Sequence, residues 1–202
     1  MLPVTPDGVP YLMQNQHLAF TGDVHLAAEF LRLRDKYGVK LVVETGTYIG
    51  TTALWLAQHF EQVITTEVAE PFYNTARIRA EGLNNLMCIH GPGSNTLRRM
   101  KDDYLGWIDA HPMDATGNGY DVVIQELEAI AESGIKPCAL VLHDFQVPGH
   151  PELQFDRFDG NPFTYEWIEP SLIRIYGEGG FTHYFNSEAT GAKVGVLFVE
   201  RV

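Results

Sequence analysis

Nine residues, Val42–Gly50, constrain the fold of this chain more than any other segment. Their sequence, VVETGTYIG, begins with strand-forming residues, passes an acidic residue and turns through two glycines. Thr51 then opens a run with a helical pattern. A glycine turn between a strand and a helix lets backbone approach a ligand and presents the unpaired N–H groups of a helix N-terminus. The segment therefore predicts a nucleotide-type binding turn within an α/β sheet.

Strands and helices alternate on both sides of this turn. Strands are predicted at Val39–Glu44, Gln62–Glu67, Leu86–His90, Tyr104–Asp109 and Cys138–His143, with helices at Asp23–Tyr37, Thr51–Phe60, Pro71–Leu83, Ser94–Lys101 and Tyr120–Glu132. This alternation is typical of a parallel sheet covered by helices on both faces. Such sheets bind ligands beyond the carboxyl ends of their strands.

The last part of the chain changes pattern. A long connection, Asp144–Pro162, leads to a predicted helix at Tyr165–Tyr176, with a break or restart at Pro170. Two further strands, Phe181–Asn186 and Val194–Glu200, are predicted to pair as an antiparallel hairpin. We therefore divide the chain into an irregular N-terminal arm, residues 1–22, and a single domain, residues 23–202.

The net charge of the chain limits the classes of partner that it is expected to bind. Its 202 residues carry a formal net charge of −12, whereas nucleic acids and anionic membranes bind positive surfaces. We therefore expect neither nucleic acid nor membrane as a partner. The sequence contains no apolar run of the ~20 residues that would cross a bilayer and no signal-peptide pattern. We expect a cytoplasmic protein and leave its oligomeric state open, a homo-oligomer included.

Polar residues collect where the predicted strands end, and they should therefore converge on one edge of the sheet. They are Glu44 with Gly46 and Gly50, then Glu67, Gly91–Ser94, Asp109 with His111, and His143 with Asp144. A carboxylate in the position of Glu67, at the end of the second strand, can accept hydrogen bonds from a ribose diol.

Two details of the glycine turn distinguish between nucleotides. The dinucleotide fingerprint has a middle glycine that admits a pyrophosphate, and this chain has Tyr48 there. Glu44 also places a negative charge beside the ligand, which would repel phosphates and attract an ammonium group. The pattern favours a ligand with a ribose, a cationic tail and no phosphate.

At this point the sequence resembles the class I S-adenosylmethionine-dependent methyltransferases. ETGTYIGTT is similar to their first motif, Glu67 to their ribose acid, and HGPGSNTL to the segment that borders the adenine. The resemblance spans roughly residues 39–145. It implies a single-domain, Rossmann-like doubly wound sheet, mostly parallel with an antiparallel C-terminal strand. It also implies S-adenosylmethionine as cofactor, bound by Glu44, Gly46, Tyr48, Gly50, Thr51, Glu67 and Ser94. Where the family often has an acid just before Ser94, this chain has Gly93.

The residues after the fourth and fifth strands, in WIDAH and LHDF, resemble those of small-molecule O-methyltransferases, including enzymes that modify sugar hydroxyls. Some of these enzymes hold a divalent cation with acids at both places. That likeness implies Asp109 and Asp144 as ligands of an ion such as Mg²⁺, although His143 departs from the pattern. Without a metal, His111 or His143 would be the general base, because an unperturbed histidine titrates near pH ~6.5.

The sequence therefore predicts methyl transfer from S-adenosylmethionine to a hydroxyl of a small molecule such as a sugar, a phenol or a natural-product-like compound. We expect Asp109, His111, His143 and Asp144 to align the acceptor or remove its proton. An NAD-dependent oxidoreductase is a second hypothesis, which Tyr48 argues against. A non-catalytic S-adenosylmethionine-binding protein is a third, because fold alone does not establish catalysis.

Overall fold

A computed structural model describes residues 18–110, 119–153, 155, 157–158, 161–186 and 194–202. His111 therefore lies outside the described residues, as does most of the predicted arm. The strands are β1 (Leu41–Thr45), β2 (Gln62–Glu67), β3 (Leu86–His90), β4 (Leu105–Ile108), β5 (Ala139–His143), the short β6 (Arg157–Phe158) and β7 (Asn161–Pro162), β8 (Phe181–Asn186) and β9 (Val196–Arg201). The helices are α1 (Val24–Tyr37), α2 (Thr51–His59), α3 (Glu70–Arg79), α4 (Gly93–Leu97), α5 (Gly119–Ser133) and α6 (Tyr165–Tyr176).

Seven strands form one sheet in the order β3-β2-β1-β4-β5-β9-β8. The first five strands are parallel, and β9 lies antiparallel between β5 and β8. This arrangement confirms the predicted α/β fold with an antiparallel C-terminal strand. The strand order reverses between β1 and β4, which is where doubly wound sheets bind their ligands. None of the helices in the described ranges is long and apolar enough to cross a membrane.

Several predicted elements have other bounds in the structure, and the predicted connection 144–162 contains β6 and β7. Two of the differences have a clear local cause. Strand β1 begins at Leu41 rather than Val39, because Gly38 ends α1 in a left-handed conformation and the Val39 N–H still donates to the carbonyl of Arg34. Pro170 does not break α6, which continues through it. Pro170 lies on an exposed side of the helix. A proline there removes one helical hydrogen bond, and the helix continues beyond it.

The core consists of two apolar clusters, one on each face of the sheet. Leu140 and Leu142 pack in the cluster under α5 and α6. Val141 and Trp107 pack in the cluster under α1 and α2. Because side chains alternate along a strand, His143 follows Val141 onto the α1 face, where its ring meets Trp107 edge-on with 5.2 Å between centroids.

The glycine turn after β1 packs directly against the end of β4. Gly46 has a φ of +80°, and a β-carbon there would lie 2.3 Å from the carbonyl oxygen of Asp109 and 2.9 Å from the α-carbon of Ala110. The Asp109 N–H also donates to the carbonyl of Thr45, at 3.2 Å. The space that a side chain would need at Gly46 is therefore occupied by the backbone after β4. This contact fixes the position of Asp109, the residue that follows β4.

Gly50 has a similar internal role. It has a φ of +81°, and a β-carbon there would lie 3.0 Å from the β-carbon of Ala76 on α3. The second glycine of the motif thus lets α3 pack closely against the start of α2.

The Gly46 contact predicts a large effect of substitution. Gly46→Ala and Gly82→Ala both place a β-carbon on a left-handed backbone, but Gly82, with a φ of +89°, has no other atoms nearby. We expect Gly46→Ala to lower the free energy of unfolding by about 1–3 kcal/mol more than the control, because it also overpacks the junction of β1 and β4. Urea denaturation of both variants measures this difference. Equal losses would contradict the packing argument.

Candidate functional site

Glu44 lies at the end of β1 and is fully buried. The Thr65 hydroxyl donates to its Oε2 at 2.5 Å. Burial raises the pKa of Glu44 to about 8, with the Thr65 hydrogen bond opposing this shift and the charges of Asp109 and Glu67 adding to it. The sequence predicted a standing negative charge here. In the free protein the carboxyl is instead mostly protonated at neutral pH, because burial outweighs the hydrogen bond from Thr65.

A chain of hydroxyls continues from Glu44. The Thr65 hydroxyl lies within hydrogen-bond distance of the Thr47 hydroxyl, which lies 2.9 Å from the carbonyl oxygen of Thr66. Each hydroxyl has one hydrogen, so Thr65 donates either to Glu44 or to Thr47, and Thr47 either to Thr65 or to Thr66. Hydroxyl hydrogens rotate to suit their partners. Glu44 can therefore gain or lose a proton while the hydroxyls reorient, with no need to move the heavy atoms.

Glu67 ends β2 and clamps the glycine turn. Its Oε2 accepts from the Tyr48 N–H and its Oε1 from the Ala69 N–H, both at 2.8 Å. The first bond holds Tyr48 at a φ of +50°, an uncommon conformation outside glycine. A carboxylate offers about four acceptor sites, so two backbone bonds are compatible with the predicted contact to a ribose diol.

Tyr48 and Thr51 have partners on α3. The Tyr48 ring is partly exposed and lies 4.4 Å from the ring of Phe72. The Thr51 hydroxyl accepts from the Arg79 guanidinium at 3.0 Å, and the same nitrogen donates to the carbonyl of Ile49 at 2.7 Å. Helix α3 thereby contacts and stabilises the turn that is predicted to bind the cofactor.

Ser94 lies at the start of α4, next to a contact that sequence reasoning missed. A β-carbon at Gly93 would lie 2.2 Å from Oε1 of Glu126 and 2.4 Å from Cγ2 of Thr45. Glu126, on α5, is fully buried and accepts from the Thr45 hydroxyl at 2.9 Å. Its carboxylate thus fills the space of a side chain at position 93, where the resembled family often has an acid. The signal in the sequence was an acidic residue beside Leu127 on an apolar helix face.

Asp109, His143 and Asp144 form one cluster at the ends of β4 and β5. Nδ1 of His143 lies 2.9 Å from Oδ1 of Asp109 and 3.0 Å from Oδ2 of Asp144. Asp144 has a φ of +63°, and a non-glycine residue in this conformation is strained. The strained backbone holds the Asp144 side chain beside the ring of the preceding histidine.

The two carboxylates determine the charge of this cluster. Burial lowers the pKa of His143, but the charges of Asp109 and Asp144 and their hydrogen bonds outweigh it and raise the pKa to about 10. His143 is therefore an imidazolium at neutral pH. In that state it donates hydrogen bonds and cannot accept a proton, which limits the general-base role predicted for it.

Asp23 adds a third carboxyl near this cluster. Its Oδ1 caps α1 by accepting from the N–H groups of His25 and Leu26, at 3.0 and 2.9 Å. The Asn186 amide donates to its other oxygen at 3.4 Å. Burial raises the pKa of Asp23, while its backbone hydrogen bonds and the charges of His25 and His143 oppose this shift. The sequence predicted a helix start at Asp23 and no role at the site.

A cleft of about 90 Å³ joins the two halves of the candidate site. Its lining includes Glu44, Gly46 and Asp109, together with Leu18, Thr21, Tyr48 and Thr51. The structure therefore brings the acid of the glycine motif and the acid after β4 to one opening, at the point where the strand order reverses. The lining does not include Glu67, Ser94, His143 or Asp144.

No protein-family model and no curated protein matches this sequence. Solved structures do resemble it in fold. A "putative methyltransferase" from Streptococcus mutans in complex with SAH is 11% identical, with a TM-score of 0.57 over 89% of this chain and 98% of that one. A "putative O-methyltransferase" from Klebsiella pneumoniae is 18% identical, with a TM-score of 0.59 over 100% and 92% of the two chains.

An rRNA methylase from Streptococcus thermophilus is 12% identical, with a TM-score of 0.54 over 89% of this chain and 96% of that one. Proteins named for different substrates thus share this fold, and identities this low bear on the fold alone. The chain has a Rossmann-like methyltransferase fold, with its candidate site where that fold reverses its strand order.

Proposed function

We propose that this protein transfers a methyl group from S-adenosylmethionine to a hydroxyl of a small molecule. The observation that carries the proposal is that Glu44 and Asp109 line one cleft at the switch point of a methyltransferase fold. The first residue suits the cationic tail of the cofactor, and the second suits a hydroxyl acceptor.

Bound S-adenosylmethionine supplies an activated methyl group on its sulfonium. Glu44 binds the ammonium group of the cofactor tail, and Glu67 accepts hydrogen bonds from its ribose. Gly46, Tyr48, Gly50 and Thr51 shape the turn beneath it, and Ser94 lies on the adenine side. These assignments are supported by the positions of Glu44 and Glu67 at the ends of neighbouring strands, with Glu44 paired to Thr65 of β2.

On the acceptor side, His143 orients two carboxylates. As an imidazolium it shares its single Nδ1–H between Asp109 and Asp144, so these side chains can align the acceptor oxygen and take up its proton. This arrangement transfers the base role, first assigned to His111 or His143, to a carboxylate. His111 lies outside the described residues and stays a prediction.

The same cluster fits a divalent cation. Asp109, His143 and Asp144 each offer one ligand atom, and these atoms all lie within 4.8 Å of one another. Carboxylate oxygens suit Mg²⁺, while an imidazole ligand shifts the preference toward transition metals. A metal-assisted form of the same reaction is therefore the second candidate.

A small-molecule acceptor is favoured over nucleic acid by the charge of the chain. A net charge of −12 opposes binding to a phosphate backbone. The solved rRNA methylase of the same fold shows that the architecture itself does not decide the acceptor. The test below therefore includes RNA.

The first prediction concerns Asp109. We expect Asp109→Asn to bind S-adenosylhomocysteine with an unchanged Kd and to lose methyl transfer by about 100-fold or more, since aligned proton transfer contributes about that much. Transfer of radiolabelled methyl to sugars, phenols and RNA measures turnover, with the exposed Asp102→Asn as control. Full turnover by Asp109→Asn would contradict its role.

The same assay separates the competing functions. Binding of S-adenosylhomocysteine without transfer to any acceptor would favour a non-catalytic protein. Thermal stabilisation by NAD and not by S-adenosylhomocysteine would favour an oxidoreductase. Preferred transfer to RNA would contradict the small-molecule acceptor.

The second prediction concerns the proton on Glu44. Its pKa of about 8 in the free protein falls when an ammonium group binds, so S-adenosylhomocysteine should release up to one proton at pH 7 and progressively less above pH 8. Calorimetry in buffers of different ionisation enthalpy measures this release. Glu44→Gln should abolish it and weaken binding by about tenfold or more, while the exposed Glu81→Gln should not. Binding without proton release would contradict the assignment.

The raised pKa also affects the stability of the free protein. Because the folded state binds the Glu44 proton more tightly than the unfolded state, whose pKa is near 4.5, this carboxyl lowers stability as pH rises from 4.5 to 8. Urea denaturation of Glu44→Gln should therefore show a smaller loss of stability across that range than the unmutated protein.

The third prediction concerns the metal. A cation must displace the proton of His143, so its affinity should increase with pH. We expect Mn²⁺ to raise the Tm more at pH 8 than at pH 6, and Asp144→Asn to remove the effect. Unchanged Tm values with Mn²⁺ and Mg²⁺ at both pH values would favour the metal-free form.

A further inference from the structure

A second cavity, of about 450 Å³, opens at the carboxyl end of β5. It is formed by residues 146–151 after that strand, by Thr164–Glu166 at the start of α6, and by His183 and Phe185 on β8. Its size is within the range of small-molecule sites, roughly 300–1,000 Å³.

This cavity is separate from the candidate methyl-transfer site. Phe185 packs against the apolar cluster under α5 and α6, whereas His143 contacts Trp107 in the cluster on the opposite face. Its lining contains none of the residues assigned to the cofactor or to the acid cluster. A ligand bound here would therefore lie on the α6 side of the sheet.

The cavity contains a fixed ring platform. The ring of Tyr165 stacks on that of His183, with 3.8 Å between centroids and 15° between planes. The Tyr165 hydroxyl donates to Glu169 at 3.0 Å, which fixes the orientation of the ring. Phe185 meets His183 edge-on at 6.2 Å. Three rings thus present a rigid, largely apolar surface.

A carboxylate lies beside this platform. Hydrogen bonds from the Thr164 side chain and from its own backbone N–H, together with the charge of His183, lower the pKa of Glu166. The side chain is exposed and ionised at neutral pH, so it can accept a pair of hydroxyl hydrogens. The described lining has no lysine or arginine; its histidines are His183, beside Glu166, and His150, which is paired with Glu152 at 2.9 Å. This lining disfavours phosphate and carboxylate ligands.

We propose that this cavity binds a neutral sugar ring. A sugar has an apolar C–H face that can lie on the ring platform and a hydroxyl edge that can bind Glu166. A phenol would need a more enclosed apolar site, because its ring offers few groups to a carboxylate. The inference does not rest on the proposed methyl transfer, since binding here is measurable without turnover.

The test measures glycoside binding to the whole protein. Saturation-transfer NMR with methyl glucoside, galactoside, mannoside and xyloside should show binding of at least one, and titration gives its Kd. Glucose 6-phosphate, glucuronate and tyramine are the charged comparisons and should bind more weakly. His183→Ala and Glu166→Gln should each raise the glycoside Kd at least tenfold, about 1.4 kcal/mol.

The chain offers a matched control for the histidine variant. His59 stacks on Trp55 at 4.0 Å with 24° between planes, on α2 at the apolar cluster of the opposite face of the sheet. His59→Ala should leave the glycoside Kd unchanged. Thermal denaturation of each variant shows that it is folded.

Three results would overturn the proposal: no glycoside binding by the unmutated protein, a Kd unaffected by His183→Ala and Glu166→Gln, or tighter binding of tyramine or of an anionic sugar. Titration of the same samples with S-adenosylhomocysteine separates this proposal from the proposed function. Loss of glycoside binding alone contradicts only the sugar site, and loss of S-adenosylhomocysteine binding alone contradicts only the methyltransferase.

Discussion

The close approach of Gly46 to the backbone of Asp109 is the contact on which the rest of the site depends. It joins the first turn of the sheet to the end of β4, across the point where the strand order reverses. A glycine is required at position 46 so that the backbone of Asp109 can pack against it and hold the acid in place. The residues proposed for cofactor and acceptor are therefore coupled by backbone geometry, in addition to lining one cleft.

Electrostatics in this site depends on burial more than on the number of acidic residues. Glu44 is buried, and no cation is among the described groups that shift its pKa, so it is mostly uncharged near neutral pH in the free protein. His143 is only partly exposed, and two carboxylates keep it charged. Desolvation thus has opposite outcomes at the ends of β1 and β5, which flank β4. His143 has ionised partners at hydrogen-bond distance, whereas Glu44 is bonded to a hydroxyl.

Local patterns predicted the fold and the placement of most site residues. The strand, glycine turn and helix at Val42–Gly50 and the alternation that follows required no knowledge of tertiary structure. Glu126 and Asp23 were missed as site residues. The helix pattern shows Glu126 only as an acidic residue on an apolar face, and Asp23 only as an N-cap. The raised pKa of Glu44 in the free protein was not predicted, because burial between strands is a property of the assembled sheet.

The hydroxyl chain from Glu44 through Thr65 and Thr47 has a consequence for selectivity. At neutral pH a protonated carboxyl attracts cations weakly. It ionises when a positive group binds at hydrogen-bond distance from its oxygens. Nucleosides that share the adenosine part of the cofactor but lack an amino-acid tail would leave it protonated. Under the proposed function, the turn would therefore distinguish S-adenosylhomocysteine from such nucleosides by whether a proton leaves the protein.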